Sequence, residues 1–133
     1  MAIRVVRLGT GRKRDEGLRL GTVRLLPRGV KKQAYAQLNY FDLWLPELAP
    51  SRALVSYAQA KPWTDARWAG FARRYLSEMR RPQARRLVVL LAALSKQANF
   101  SVGCYCENPS RCHRSLLCEL LREQGGKIRG LWN

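Results

Sequence analysis

Residues 100–118 read FSVGCYCENPSRCHRSLLC, and the rest of the chain is organised around this stretch. Phe100, Val102, Cys104 and Cys106 alternate with Ser101, Gly103 and Tyr105, the period of a strand, so both early thiols face the same way. Asn108, Pro109 and Ser110 stop that strand, because proline fixes φ and lacks a donor while Asn and Ser bond nearby backbone. From Cys112 onward Leu116, Leu117, Leu120 and Leu121 recur at helical spacing until Gly125 and Gly126. The reading is a strand over Phe100 to Cys106, a polar loop, and a helix opening near Cys112. At about 100° per residue His113 falls on the leucine stripe and faces the sheet, with Arg114 and Cys118 on its flank.

All four cysteines and the only histidine of the chain lie in this stretch. In open α/β sheets, ligands settle beyond the carboxyl ends of strands, where the first turn of a helix offers free N–H groups and partial positive charge. Cys106, Arg111, Cys112, His113 and Arg114 occupy that zone. Three chemistries fit these residue types. Arg111 and Arg114, with Arg28 from an upstream turn, suit a phosphate-bearing ligand, since guanidinium forks match phosphate oxygens. A thiolate at Cys106 or Cys112 with His113 as base suits nucleophilic catalysis. Adjacent residues diverge by about 100° on a helix, which points His113 toward Cys106 rather than Cys112. The phosphatase spacing of Cys followed six positions later by Arg is absent: the four cysteines lead to Ser110, Cys112, Cys118 and Gln124. Cys104, Cys106, Cys112 and His113 also carry the donor atoms of a zinc site, although C-x-C along one strand separates thiols more than the usual C-x-x-C turn. No cofactor is named by any motif.

CYCENPSRCHRSLL resembles the cysteine-histidine-arginine signature of the domain-of-unknown-function 488 family. LLPRGVKK, LWLPELAPS and RWAGFARRYLSEM, in that order upstream, resemble further segments of the same family. The resemblance implies a compact α/β fold and assigns no activity. Many relatives carry an acid just before the Arg of the second strand and a Trp before the Pro-Arg-Gly turn, where this chain has Val23 and Leu26.

A chain of 133 residues with 47% apolar content supports one domain with its own core and is too short for two. No run approaches the ~18 apolar residues of a membrane span, and the N-terminus lacks a secretory pattern, so the expectation is a cytoplasmic protein with no membrane partner. Cysteines clustered within fifteen positions read as reduced thiols rather than as staples between distant segments. The net charge is +16, with 19 Arg and 6 Lys against 9 acids, a field that attracts polyanions and makes nucleic acid a candidate partner beside a small phosphate compound.

In chain order, Ile3 to Leu8 reads as a buried strand. Thr10 to Gly17 reads as a mobile charged turn, and Thr22 to Leu26 as a second strand closed by Pro27-Arg28-Gly29. Gln37 to Glu47 shows Leu38, Phe41, Leu45 and Leu48 at helical intervals. Ala53 to Ala60 is a helix capped by Ser51, and Asp65 to Arg80 one capped by Thr64, whose stripe of Trp68, Phe71, Tyr75 and Met79 reads as core. Gln83 to Gln97 is a helix begun by Pro82, with a strand around Val88 and Val89 as its rival. Lys127 to Trp132 is a last short strand. The fold expected is a single α/β domain, a small, mainly parallel sheet flanked by helices.

Overall fold

Five strands form one all-parallel sheet in the order β3-β2-β4-β1-β5. They are β1 (Ile3–Arg7), β2 (Leu18–Gly21), β3 (Leu43–Trp44), β4 (Phe100–Cys104) and β5 (Ile128–Leu131). The structure, a computed structural model, describes residues 1–131, so the Trp132 end of the expected last strand lies outside the described residues. Helices α1 (Arg52–Ala60), α2 (Asp65–Met79) and α3 (Pro82–Leu94) cross from β3 to β4, and α4 (His113–Glu123) connects β4 to β5. Among the described residues no helix is long and apolar enough to cross a membrane.

The two sheet faces are covered differently. Ile3, Val5, Leu20, Phe100 and Val102 point to one face and join Leu54, Phe71, Tyr75, Val88, Leu91, Leu117 and Leu121 from the four helices in the main core. Arg4, Val6, Arg19, Gly21, Ser101 and Gly103 alternate onto the other face. A second, smaller cluster joins Val6, Leu8 and Phe41 on that side to Val23, Cys104 and Cys112 around the carboxyl ends of the strands. Parallel strands are stable only when both faces are dry, and on this side loops do the covering. Gly21 makes room for them: a Cβ there would stand 2.4 Å from Phe41 Cδ2.

Helices α1 and α2 start where their caps place them, with Ser51 Oγ accepting from Leu54 N at 3.3 Å and Thr64 Oγ1 from Arg67 N at 3.1 Å. Pro82 opens α3, which rules out a strand there. The second strand is displaced from expectation: the ladder runs over Leu18–Gly21 rather than from Thr22 to Leu26. Arg19 is fully buried, its Nε 2.8 Å from Glu16 Oε2 and its Nη1 2.8 Å from the carbonyls of Thr10 and Asn39. Charge hidden in this way permits a buried strand between the turn expected to end at Gly17 and the strand expected from Thr22. The helix expected over Gln37 to Glu47 is absent. Asn39 adopts φ 62°, which breaks any helix, and Asp42 N and Leu45 N donate to Arg19 O and Gly21 O, drawing the segment into the sheet edge as β3. Its regularly spaced apolar residues go separate ways: Leu38 is exposed, Phe41 is in the loop-covered cluster, and Leu48 is in the main core.

Gly21→Ala is expected to lower stability by about 1–3 kcal/mol through overpacking against Phe41, while Gly11→Ala, with open space around the new methyl, stays within about 0.5 kcal/mol; urea unfolding of both compares them. Arg19→Met leaves the Glu16 carboxylate buried without its partner and is expected to cost about 3–5 kcal/mol at neutral pH. Burial alone raises the Glu16 carboxyl, but hydrogen bonds from Arg19 and Ser101 outweigh it and hold it below the ordinary range. A depressed folded-state pKa contributes stability above the unfolded value and loses it as pH falls through the folded one. The gap between wild type and Arg19→Met therefore narrows in acid, which unfolding curves across that range check.

Candidate functional site

Strand β4 lies in the middle of the sheet, buried along its whole length, and ends at Cys104. The chain then bends at Tyr105 instead of continuing the ladder, which brings Cys106 Sγ back to 3.6 Å from Cys104 Sγ. Three contacts clamp this bend. Arg7 Nε donates to Tyr105 O at 3.1 Å, Tyr105 OH to Leu25 O at 3.0 Å, and Arg114 Nη2 to Cys106 O at 2.6 Å. Asn108 Oδ1 accepts from Ser110 N at 3.1 Å and caps the short 3-10 turn Pro109–Arg111, which turns the chain back over the strand end. Cys112 follows as the N-cap of α4, and the sulfurs of Cys104, Cys106 and Cys112 all lie within 4.8 Å of one another. Cys104 and Cys112 are buried, Cys106 is exposed, and all are free thiols.

The backbone at Cys112 is extended, with φ −138° and ψ 147°. It lies outside the helix proper, so the 100° divergence expected between Cys112 and His113 does not apply. His113 Nδ1 is 3.9 Å from Cys112 Sγ, and no contact joins His113 directly to Cys106 among the described hydrogen bonds. Nε2 of the same ring lies 2.6 Å from the Thr22 carbonyl oxygen, just past the end of β2. A carbonyl only accepts, so this contact assigns the proton to Nε2 and turns Nδ1 toward the sulfur. Thr22 Oγ1 in turn donates to Gly103 O at 2.9 Å, and Tyr75 packs its ring 5.4 Å from the imidazole.

The electrostatics follow from this crowding. Hydrogen bonds from Cys104 and Cys106 hold the Cys112 thiol well below its usual range, against the effect of burial and with help from the His113 charge. Cys104, although its contact with Cys106 lowers it, is pushed up to about 12 by donation to Cys112 and by burial. Cys106 moves upward as well, through its bonds to the other two thiols. Burial lowers His113, but the neighbouring Cys112 sulfur outweighs it and the imidazole is raised above its ordinary value. The start of α4 adds the partial positive charge of its free N–H groups.

A cavity of about 360 Å³ opens against this cluster. Cys104, Cys106, Cys112 and His113 line one side, Val55, Trp63 and Phe71 supply an apolar wall, and Arg24 and Arg111 supply positive charge. Arg111 Nη2 bonds Asp65 Oδ1 at 2.7 Å, and its guanidinium sits over Trp68. Arg114 is buried and holds the Cys106 carbonyl, and Arg28 is exposed outside the cavity lining. Arg12 pairs with Asp42 at 2.8 Å. Cys118 faces the main core away from the other thiols. Arg24 was not singled out as a site residue by sequence reasoning. Its partners, the carbonyls of Pro46, Ala49 and Pro50, are 22 to 26 residues away, and no local pattern announces them.

Fold and site together define a small α/β protein with a cysteine-histidine cluster at the carboxyl end of the central strand of a parallel sheet. The chain belongs to the domain-of-unknown-function 488 family: residues 3–125 match the model described as the Active DUF488-N3 subclade. No curated protein and no solved structure matches it.

Alkylation of reduced, metal-free protein should separate the thiols. Cys112, whose thiol is shifted downward, is expected to keep reacting with iodoacetamide well below the pH of about 8.5 at which a free thiol half-ionises, while Cys104 stays inert at neutral pH. His113→Gln should move the Cys112 profile upward. Peptide mass spectrometry across a pH series reads each site.

Proposed function

We propose that the cavity binds a small phosphate-bearing ligand of nucleotide type and presents it to the sulfur of Cys112. The observation that carries the reading is that Arg24, shared with a neighbouring cavity, and the thiol cluster line the same cavity. Arg24 donates from Nε to Pro50 O at 3.0 Å and from Nη2 to Pro46 O at 3.0 Å. These acceptors are neutral, and no carboxylate pairs with Arg24 among the described residues, so its charge stays available to an anion. Arg111 adds a second cation, shared with the exposed carboxylate of Asp65, whose hold on it is screened by water. The Trp63 and Phe71 rings, set edge to face at 77°, give the cavity an aromatic wall against which a base or similar ring packs.

In this reading Cys112 is the nucleophile and His113 Nδ1 the group that exchanges its proton. Cys104 and Cys106 steady the negative sulfur, and Arg114 positions the Cys106 carbonyl. The word "active" in the description of the matching subclade agrees with a working site. Arg28, exposed on its turn, serves as the outer basic residue met by an approaching anion.

Calorimetry with nucleoside monophosphates and inorganic phosphate tests the proposal. Arg24→Met is expected to weaken binding at least tenfold, since a hydrogen bond to a charged group is worth about 1.5–3 kcal/mol. Arg28→Met should change it little. Equal small losses in both variants, or no phosphate binding by folded protein, would sink the reading. A short single-stranded oligonucleotide that binds with steep salt dependence while monophosphates do not would transfer the function to a nucleic-acid surface.

A further inference from the structure

We propose that Cys104, Cys106 and Cys112 form a site for one thiophilic divalent cation of the zinc class. Their sulfurs lie within 4.8 Å of one another, with Cys104 and Cys106 at 3.6 Å. Sulfurs bound tetrahedrally to zinc at about 2.3 Å stand about 3.8 Å apart, so ligation asks for sulfur shifts of about 1 Å or less. Thiols are weak donors and weak acceptors. Three of them crowded together make poor hydrogen bonds to one another but a good soft-donor set.

The fold brings the Cys104 and Cys106 sulfurs closer than C-x-C spacing on one strand would. C-x-C on a continuous strand holds its Cα atoms roughly 6.5 Å apart, but β4 ends at Cys104, the chain bends at Tyr105, and Cys106 leaves the ladder. The turn Pro109–Arg111 then delivers the third sulfur from the start of α4. His113 is not part of the set. Its Nε2 is engaged by Thr22 O, and among the described residues only the three thiols lie mutually within reach. Three protein ligands leave the fourth position to the 360 Å³ cavity, the layout of a site that keeps one place for water or an exogenous ligand.

The surroundings suit such a centre. Three thiolates around a dication carry one net negative charge, which the first turn of α4 and the adjacent imidazole offset. Arg114 Nη2 fixes the loop carrying Cys106 through its carbonyl, the work of an outer-shell partner. Cys106 is exposed and gives the ion a way in. The inference shares its thiols with the pocket reading but does not rest on Cys112 acting as a nucleophile. A bound cation takes up the Cys112 sulfur, so metal and alkylating agent compete for it.

The test strips reduced protein with a chelator and titrates it with Co²⁺. Thiolate-to-cobalt charge-transfer absorption should rise to saturation at one equivalent per chain and be bleached by Zn²⁺. Cys106→Ser, at an exposed position that does not endanger folding, is expected to weaken uptake by about 100-fold or more, beyond the usual effect of an outer-shell change. Cys118→Ser and His113→Gln should keep the one-equivalent stoichiometry, with circular dichroism confirming that each variant is folded. No saturable absorption in folded, reduced wild type, or a titration indifferent to Cys106→Ser, overturns the site. Parallel alkylation of the stripped protein separates the two ideas. Low-pH reactivity of Cys112 without metal uptake removes the cation site and leaves the pocket reading standing. Saturable uptake with ordinary Cys112 reactivity upholds the cation site and counts against the nucleophile.

Discussion

The buried Arg19–Glu16 pair is the constraint on which the sheet depends. A parallel sheet has two faces to keep dry, and all four helices of this chain pack on one of them. The other is closed by residues 9–17, which bring no large apolar side chain, and by residues 31–42, which bring Tyr35, Tyr40 and Phe41. Arg19 compensates by reaching the carbonyls of Thr10, Gly11 and Asn39 while it pairs with Glu16, and Glu16 accepts from Ser101 Oγ on β4 at 2.6 Å. One guanidinium thus ties both covering loops to two strands. Such a pair is poor evidence of net stabilisation over an apolar substitute, but once it is present, removing either member is expensive. Its role here is to select which loops cover the face and in what register.

From that anchored β2 the constraint passes to the site. The Thr22 carbonyl, just beyond the strand, orients His113 and thereby its Nδ1 toward Cys112. The bend after β4 and the 3-10 turn before α4 then crowd three sulfurs at the positive end of a helix. The proposed nucleophile and the proposed cation site both rest on that single arrangement, because each needs deprotonated sulfur held in positive surroundings.

Where local chemistry decides structure, the elements could be read in advance. Ser51 and Thr64 cap their helices through contacts three residues on, Pro82 presets the first turn of α3, and the strand and helix around the cysteines follow from alternation and leucine spacing. Where partners are remote, reading failed. Arg19 is buried through the carbonyl of Asn39, twenty residues on, and β2 runs over Leu18–Gly21, four residues before the expected start at Thr22. Leu38, Phe41, Leu45 and Leu48 imitate a helical face by coincidence: Leu38 is exposed, Phe41 enters the smaller cluster, and Leu45 and Leu48 join the main core.

The chain by itself determined the α/β class, the helices after residue 50, and the concentration of thiols, imidazole and guanidinium at the end of one strand, because these depend on spacing and residue type within a few turns. Only the tertiary structure decided that the sheet is all-parallel with helices on a single face, that Cys112 rather than Cys106 adjoins His113, and that Arg24 lines the cavity. Each of those outcomes rests on hydrogen bonds or packing between segments twenty or more residues apart, or on one extended residue at a helix start, and neither periodicity nor composition carries that information.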